Sequence, residues 1–331
     1  MTPAPEQLAG ADRHTYSAFG IDLELDPRIS IPGLARTVTA TTAPPTQVRL
    51  DPEELQRRWE ARTTAPTRTR EVRHGETTIR TIDFAEPAGY LLWNRDHGRV
   101  LISSDGLELL CDPDPANEQW ATIVVAQALP LAATLRGLEV LHASGVVLDG
   151  RALLITGATG AGKSSLAAAL ARAGGSLLSD DAVALELRDG ALVAHAGSLA
   201  LQLRAAEDER LSTPERAALG RAAGAVEGKQ RYVSANAPAP APLGGLFLLE
   251  RATAGPALEP LAAVSPFELL ASTFNLSVRT PERLQRQLDV VTAIAAGDFV
   301  HRLRVQPDVD ATALAKLIGE HMAARDILVE L

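Results

Sequence analysis

The sequence predicts a mixed α/β (α+β) fold with a strand-rich N-terminal region, a central core and C-terminal helices. Three patterns indicate this class. Short alternating or apolar runs dominate residues 16–112, a glycine-rich loop follows an apolar run near residue 155, and helical segments dominate after residue 251. The expected organisation is a disordered tail over residues 1–15, strands ending in a helix over 16–136, the core over 137–250, and a helical region packed on the core over 251–331.

The composition is that of a globular protein without a general affinity for nucleic acids or membranes. Hydrophobic residues make up 46% of the 331 residues and charged residues 22%, which suits a buried core. The net charge of −9 argues against a nucleic-acid or membrane-surface binder. The single cysteine, Cys111, excludes an intrachain disulfide and a cysteine-based zinc site. Because signal-peptide and membrane-spanning patterns are absent, we expect a cytoplasmic protein.

The N-terminal region is predicted to form strands around one short helix. Alternating residues 21–25 indicate a half-buried strand, and Asp51 can cap a helix over residues 51–61. Residues 65–73 are basic and threonine-rich, which favours a solvated loop. Four further runs predict an antiparallel sheet, over residues 77–82, 90–93, 99–103 and 107–111.

The central core is predicted to follow a helix that Asn117 caps and that runs to about Arg136. Two strand-like runs, residues 140–148 and 152–155, are joined by Asp149-Gly150-Arg151, which predicts a tight hairpin. Two short strands over 176–187 flank an acidic pair, and residues 210–226 favour a mobile flap. The expected C-terminal elements are helices over 265–274, 281–297 and 310–325, and a strand over 300–305.

The glycine-rich loop carries the most specific functional pattern. Its spacing, G-x-x-x-x-G-K-S, lies between a strand-like and a helix-like run, the alternative being a plain turn before a helix. Glycines let backbone N–H groups turn toward phosphate oxygens, and the helix N-terminus adds partial positive charge. Lys163 would reach the β- and γ-phosphates of a nucleotide, and the Ser164 hydroxyl would ligate Mg²⁺. The nucleotide-binding candidates are Gly157, Ala158, Thr159, Gly160, Ala161, Gly162, Lys163, Ser164 and Ser165.

An acidic pair, Asp180 and Asp181, lies 17 and 18 residues after Lys163. In phosphoryl transfer one aspartate at the end of a neighbouring strand holds Mg²⁺, and a second can take the proton from the attacking hydroxyl. The pair fits both roles, and a polar turn between strands is the alternative. His142 is expected on the strand beside the loop strand, before small residues that let a backbone pass near phosphates. A purely structural histidine fits the pattern equally well.

Three segments together resemble the kinase core of the HPr kinase/phosphorylase superfamily. They are Leu141-His142-Ala143-Ser144-Gly145-Val146, the loop from Gly157 to Ser164, and Leu177-Leu178-Ser179-Asp180-Asp181. The chain looks most similar to HPr-kinase-like proteins found beside ribosomally made peptides, including lasso-peptide tailoring kinases. Residues 16–21 and 31–34 also resemble the start of those proteins. The resemblance implies a P-loop kinase core of the HPr kinase/phosphoenolpyruvate carboxykinase type.

The resemblance also implies ATP and Mg²⁺ as cofactors and gives each matching residue a role. His142 matches the family's histidine ahead of the loop, a catalytic position. Lys163 and Ser164 match its nucleotide and magnesium residues. Asp180 would then be the catalytic base for a substrate hydroxyl, and Asp181 the magnesium ligand.

Downstream of these motifs the resemblance is partial. Lys229 and Arg231 resemble a basic cluster that meets phosphates in the relatives, and a solvated charge cluster is the alternative. True HPr kinase/phosphorylases carry a second signature of four consecutive residues: glutamate, then isoleucine or valine, then arginine, then glycine. After Leu187 the sequence lacks this signature. The strand-rich region over 16–112 replaces their small N-terminal domain. These departures leave the acceptor open, HPr included.

The function expected from these residues is an ATP-dependent, Mg²⁺-requiring kinase that phosphorylates a hydroxyl. The resemblance favours a serine of a precursor peptide or small protein. Two alternatives stay open: a small-molecule kinase for free serine or a similar metabolite, and a non-catalytic, nucleotide-dependent peptide-binding module. The expected partners are a nucleotide and a peptide or small-protein acceptor, without nucleic acid or membrane. The resemblance adds a possible homo-oligomer.

Overall fold

The computed structural model describes residues 15–36, 43–226, 228–253, 255–261, 264–306 and 309–329. The predicted tail over residues 1–15 lies outside this part of the chain, except that Thr15 begins the first strand. The described elements form a mixed α/β fold with two nine-stranded sheets and a third sheet of three strands. No helix in the described part of the chain is both long and apolar enough to cross a membrane.

The N-terminal region forms one sheet with a short helix against it. Its elements are β1 (Thr15–Ala18), β2 (Ile21–Leu25), β3 (Ala35–Arg36), β4 (Thr46–Leu50), α1 (Pro52–Glu60), β5 (Thr67–His74), β6 (Thr77–Ala85), β7 (Gly89–Asn94), β8 (Gly98–Ile102) and β9 (Glu108–Pro113). The strand order is β3-β1-β2-β4-β9-β8-β7-β6-β5. Strands β5 to β9 are antiparallel neighbours, whereas β4 pairs in parallel with β2 and β9. Leu55 of α1 packs on leucines of the sheet.

Local patterns in this region predicted most of its elements. Strand β2 covers residues 21–25, and helix α1 starts after Asp51, whose Oδ1 accepts a hydrogen bond from the Glu54 N–H at 3.0 Å. The predicted loop over residues 65–73 is wrong, because this segment is β5, paired along β6. As the edge strand it is exposed on both faces, so its sequence shows no apolar alternation.

The helix predicted from Asn117 begins later than expected. The Asn117 side chain instead closes a turn, accepting from the Gln119 N–H at 2.8 Å. The helix then contains a π-helical segment, Val124–Ala128, that continues into α2 (Leu129–Leu135), with the Leu129 N–H bonded to the Val124 carbonyl. Pro130 has no N–H to donate, so the regular hydrogen-bond ladder is interrupted here.

The second nine-stranded sheet forms the core. Its elements and the helices around them are β10 (Glu139–Leu141), β11 (Ser144–Leu148), β12 (Arg151–Gly157), α3 (Lys163–Arg172), β13 (Ser176–Ser179), β14 (Val183–Arg188), β15 (Ala191–His195), β19 (Ala241–Arg251), β20 (Ala257–Pro260), α6 (Pro266–Leu270), α7 (Pro281–Ala296), β21 (Val300–Val305) and α8 (Ala311–Val329). The order is β10-β14-β15-β19-β12-β11-β13, with β21 beside β19 and β20. Strand β12 runs parallel to β19 and antiparallel to β11. Residues after 251 therefore contribute strands to the core as well as helices.

Buried side chains alternate between the two faces of this sheet. In β12, Leu153 and Ile155 join the apolar cluster that includes α3 and α8, whereas Ala152 and Leu154 join the cluster that includes α7. The sheet is thus covered by helices on both faces, which explains why its strands read as continuous apolar runs. The predicted hairpin at Asp149 and Gly150 joins β11 to β12, both turn residues having positive φ.

One core prediction is wrong in its detail. His142 is predicted on a strand, but it lies in the break between β10 and β11. The chain changes partner there, because β10 pairs with β14 and β11 pairs with β12 and β13. The mobility of residues 210–226 as a flap stays a prediction, and the segment belongs to a regular substructure of helices and strands. It comprises β16 (Ala200–Arg204), α4 (Ala205–Asp208), α5 (Thr213–Leu219), β17 (Arg221–Val226) and β18 (Lys229–Val233), with strand order β16-β18-β17.

A buried ion pair fixes α7 to the start of the core. Arg283 of α7 donates from Nη2 to Oε1 of Glu139 in β10 at 2.7 Å, and both side chains are almost fully buried. Nη1 of Arg283 also donates to Gln287, whose amide donates to Thr273. Burial raises the pKa of Glu139 to about 7, against the lowering effect of the Arg283 and Arg286 charges.

We expect Arg283→Met to lower the free energy of unfolding by about 3–5 kcal/mol at pH 8, because it leaves a buried carboxylate uncompensated. The loss should be smaller at pH 5. The pKa of Glu139 in the folded protein, about 7, lies above its ordinary value of 4.5. Protonation of Glu139 therefore stabilises the folded state, and this stabilisation is lost as the pH rises through about 7. Urea unfolding at both pH values measures it, with Glu139→Leu/Arg283→Met as the control that removes both charges. Equal losses at the two pH values would contradict this account.

Candidate functional site

The glycine-rich loop lies where β12 ends and α3 begins. It follows the carboxyl ends of two parallel strands, β12 and β19, a common position for ligand sites in α/β sheets. Gly157, Gly160 and Gly162 all have positive φ. A Cβ added to Gly157 would lie 2.6 Å from the Leu249 carbonyl oxygen, so the loop packs tightly on β19. No side chain caps α3, whose N-terminus follows Gly162 directly.

Lys163 folds back over this loop. Its Nζ donates to the carbonyl oxygen of Gly157 at 3.0 Å and to that of Ala158 at 3.4 Å. Burial lowers the pKa of Lys163, an effect that the charges of Asp181 and Asp180 oppose. The ammonium therefore lies at the loop, where phosphate oxygens can replace the two carbonyl partners.

Asp180 is the most highly connected polar side chain of the site. Its Oδ1 accepts from the Ser144 hydroxyl at 2.6 Å, from the Ser164 hydroxyl at 2.9 Å and from the Asp181 N–H at 3.2 Å. Its Oδ2 has one longer contact, with the Gln202 N–H at 3.4 Å. Burial, and then the charge of Asp181, raise the pKa of Asp180 to about 6. The carboxylate is thus fixed through Oδ1, and Oδ2 keeps the capacity to accept a proton.

Asp181 and His142 lie beside this carboxylate. Asp181 is exposed and has a positive φ of 70°, which directs the chain sharply between β13 and β14. Its carbonyl oxygen is 2.8 Å from Nδ1 of His142. Because a carbonyl only accepts, Nδ1 carries the proton and Nε2 is the nitrogen that can take a second one. The backbone N–H of His142 donates to the Ser272 carbonyl, which fixes the break between β10 and β11.

A small pocket of about 70 Å³, partly open to solvent, adjoins the acidic pair. Its polar lining includes Asp180, Asp181, Ser198, Gln202 and Arg231. Its apolar lining includes Phe19, Ile31 and Pro32 of the N-terminal region, and Val125 and Ala126 of the π-helical segment. The pocket therefore lies where the N-terminal region meets the core.

A wider, open cleft of about 840 Å³ lies along α3. Gly162 and Ser165 line it, and Ser165 donates to Glu207 of α4 at 2.7 Å. Its lining contains four arginines, Arg172, Arg204, Arg210 and Arg251, and three acidic residues, Glu207, Glu215 and Asp310. The cleft is large enough for a nucleoside moiety, and its cations suit a polyphosphate.

The structure brings most of the predicted residues together. The loop over 157–165 and the two aspartates form one site, with His142 at its edge. Arg231 lines the pocket beside the aspartates, whereas Lys229 on the same strand is exposed and lines neither the pocket nor the cleft. A phosphate contact by Lys229 stays a prediction.

Sequence reasoning missed several residues of the site. Ser144 belongs to the segment that carried the resemblance, and its place two residues after His142 could have indicated it. Gln202 and the cleft arginines reach the site through long-range strand pairing and helix packing, which leave no local signal. Phe19 contributes from the N-terminal region, which the motifs do not include.

The oxygen atoms at the site fit a magnesium ion. Mg²⁺ in nucleotide sites usually has one or two carboxylate ligands and completes its shell with phosphate oxygens and water. Ser164 and the aspartate pair supply hydroxyl and carboxylate oxygens next to the loop. In the described part of the chain, no three or more histidine, cysteine or acidic side chains are grouped so that they could hold a metal ion.

No family profile matches the chain, and no curated protein matches it. Among solved structures, the HPr(Ser) kinase/phosphatase from Coxiella burnetii is similar, with 17% identity over 57% of this chain and 99% of that chain, and a TM-score of 0.32. That protein carries the name of the family that the motifs resemble. A likeness at this level identifies neither the fold nor the activity of this chain.

We expect Gly157→Ala to destabilise the protein more than Gly174→Ala. Both substitutions place a Cβ at positive φ, which costs roughly 1–2 kcal/mol. Only Gly157→Ala also forces a Cβ against the Leu249 carbonyl, whereas nothing lies within 4 Å at Gly174. Chemical denaturation of both variants measures the difference. Equal losses would show that the loop does not pack on β19 as described.

Proposed function

We propose that this protein is an ATP-dependent, Mg²⁺-requiring kinase that phosphorylates a hydroxyl group. The observation that carries the proposal is the hydrogen bond between Ser164 and Asp180, because it joins the glycine-rich loop to the acidic pair. A loop of this type alone indicates a nucleotide, not a reaction. A carboxylate fixed at the loop and open to a neighbouring pocket adds the group that an acceptor hydroxyl needs.

The donor half of the site would be the loop and the arginine-lined cleft. Backbone N–H groups at the start of α3 and the ammonium of Lys163 suit the β- and γ-phosphates. The nucleoside would occupy the cleft along α3. Ser164 and Asp181 would hold Mg²⁺, which supplies neutralising charge on the phosphates when it is bound.

Asp180 would act as the base from its Oδ2. Ser144 and Ser164 hold Oδ1, so the carboxylate keeps one orientation, and Oδ2 would take the proton of an acceptor in the pocket that Asp180 lines. In the transfer, the acceptor oxygen bonds to the γ-phosphorus and the bond from that phosphorus to the bridging oxygen breaks, giving ADP. The hydroxyl proton passes to Asp180, whose raised pKa of about 6 suits proton transfer near neutral pH.

The acceptor hydroxyl would belong either to a peptide or small protein or to a small molecule. The resemblance of the motifs to HPr-kinase-like proteins favours a serine of a peptide or small protein. The small pocket of about 70 Å³ favours the second candidate, a kinase for a small serine-like molecule. Turnover with a peptide and with a free hydroxy compound separates the two, and peptide binding without any turnover would indicate a non-catalytic module.

The direct test is incubation with ATP, Mg²⁺ and serine-containing peptides or free serine, followed by mass spectrometry. We expect a phosphate gain on the acceptor. Lys163→Ala should lower kcat/KM by about 10²–10³-fold, because it removes a cation from the transferring phosphates. Lys316→Ala, at an exposed lysine of α8, is the matched control and should not change the rate. ATP binding without transfer to any acceptor would count against a kinase.

The two aspartates should differ in a magnesium titration. Asp180→Asn is expected to lower kcat by about 10²–10⁴-fold with an unchanged Mg²⁺ requirement, as loss of a general base predicts. Asp181→Asn should instead raise the Mg²⁺ concentration needed for half-maximal rate, because a metal ligand becomes neutral. Initial rates over a range of Mg²⁺ concentrations decide between them. The reverse pattern would exchange the two roles.

A further inference from the structure

Arg231 is a buried cation without a counter-ion. It is only 6% exposed, and it lies on β18 opposite Gln202 of β16. Within the described part of the chain no carboxylate pairs with it, and its Nε has no hydrogen-bond partner. Burial lowers the pKa of its guanidinium. A buried charge in this condition is unfavourable until an anion neutralises it.

The same fold shows how a structural arginine is treated. Arg283, equally buried, also has an Nε without a hydrogen-bond partner, but it pairs with Glu139 and hydrogen-bonds Gln287. Arg231 has no equivalent partner, although Asp180 and Asp181 line the same pocket. Its guanidinium is therefore not part of an internal network, and the pocket is the space that an anion would have to enter.

The surroundings of Arg231 indicate which ligand would carry that anion. Arg231 does not line the arginine-rich cleft along α3, where the nucleotide is proposed to bind. It lines the pocket that Asp180 also lines, together with Gln202 and the apolar residues Phe19 and Ile31. An occupant of this pocket would meet a carboxylate base, a guanidinium and an apolar wall together.

We propose that Arg231 binds an anionic group of the acceptor, a carboxylate close to the hydroxyl that becomes phosphorylated. This inference rests on the proposed kinase function and adds the acceptor class. The planar guanidinium binds such groups through paired hydrogen bonds, which would orient the acceptor while its hydroxyl faces Asp180. The acceptor would then be a hydroxy acid, or a serine beside an acidic side chain or a free chain terminus.

The test uses matched acceptors that differ only in one charge. The first pair is free serine and serinamide. The second is a serine peptide with a neighbouring aspartate and the same peptide with asparagine in its place. The third is a peptide that ends in serine, with its C-terminus as the free acid or as the amide. Acceptor binding is measured by calorimetry with the full chain, without nucleotide, and transfer is measured separately with ATP and Mg²⁺. We expect at least one charged member to bind about tenfold or more tightly than its neutral partner.

Arg231→Met should abolish this preference by weakening the charged acceptor about tenfold or more while leaving the neutral one and ADP unaffected. Arg231→Lys should restore part of it. The melting temperature of Arg231→Met should be unchanged or higher, because no internal partner is lost. Arg57→Met, at an exposed arginine of α1, is the control and should keep the preference.

Each contrary result has a distinct meaning. Equal preference in the wild type and in Arg231→Met overturns the inference, and so does an absence of binding by every charged acceptor. Weaker ADP or ATP binding in Arg231→Met also overturns it, since Arg231 would then serve the donor. If the charged acceptors bind more tightly than the neutral ones but no phosphate is transferred to any of them, the proposed kinase function is overturned and the inference about Arg231 is not. The charged acceptor that binds most tightly identifies the source of the anion.

Discussion

The carboxylate of Asp180 is the group on which the candidate site depends. Its Oδ1 receives the hydroxyls of Ser144 and Ser164, so one atom joins β11, the first turn of α3 and the end of β13. Gln202 adds a contact from the three-stranded sheet. A buried acid is tolerated only when its oxygen atoms have donors, and here the donors come from separate segments. The position of the loop relative to the pocket follows from this convergence.

Buried charges in this protein fall into two kinds, and the difference separates scaffold from site. Glu139 and Arg283 neutralise each other and hold α7 against β10. Asp180 and Lys163 hydrogen-bond only to neutral groups, hydroxyls and N–H groups in one case and loop carbonyls in the other. The charges of Asp180 and Asp181 compensate that of Lys163 only in part, because burial still lowers its pKa. The structure therefore carries an electrostatic cost at the proposed site that a bound polyphosphate and cation would reduce.

Local sequence patterns correctly predicted those elements whose structure depends mainly on residues close to one another in the chain. The hairpin at Asp149 and Gly150, the helix capped by Thr280 and the glycine-rich loop belong to this class. The edge strand β5 and the break at His142 depend on pairing with distant segments, so local periodicity was misleading. The loop and the aspartates were recognisable for the same reason as the hairpin, since their spacing is local. The pocket was not, because it is assembled from distant segments.

The pocket gives the N-terminal region a part in the site. The Phe19 N–H donates to the Ala196 carbonyl of the core at 2.6 Å, and the Leu199 N–H donates to the Gly33 carbonyl at 2.8 Å. These bonds fix the turn that carries Phe19 and the segment that carries Ile31 against the core. The apolar wall of the pocket therefore belongs to a different region from the loop and the aspartates. Under the proposed function, substitutions in the N-terminal wall would change the acceptor while the chemistry around Asp180 would stay the same.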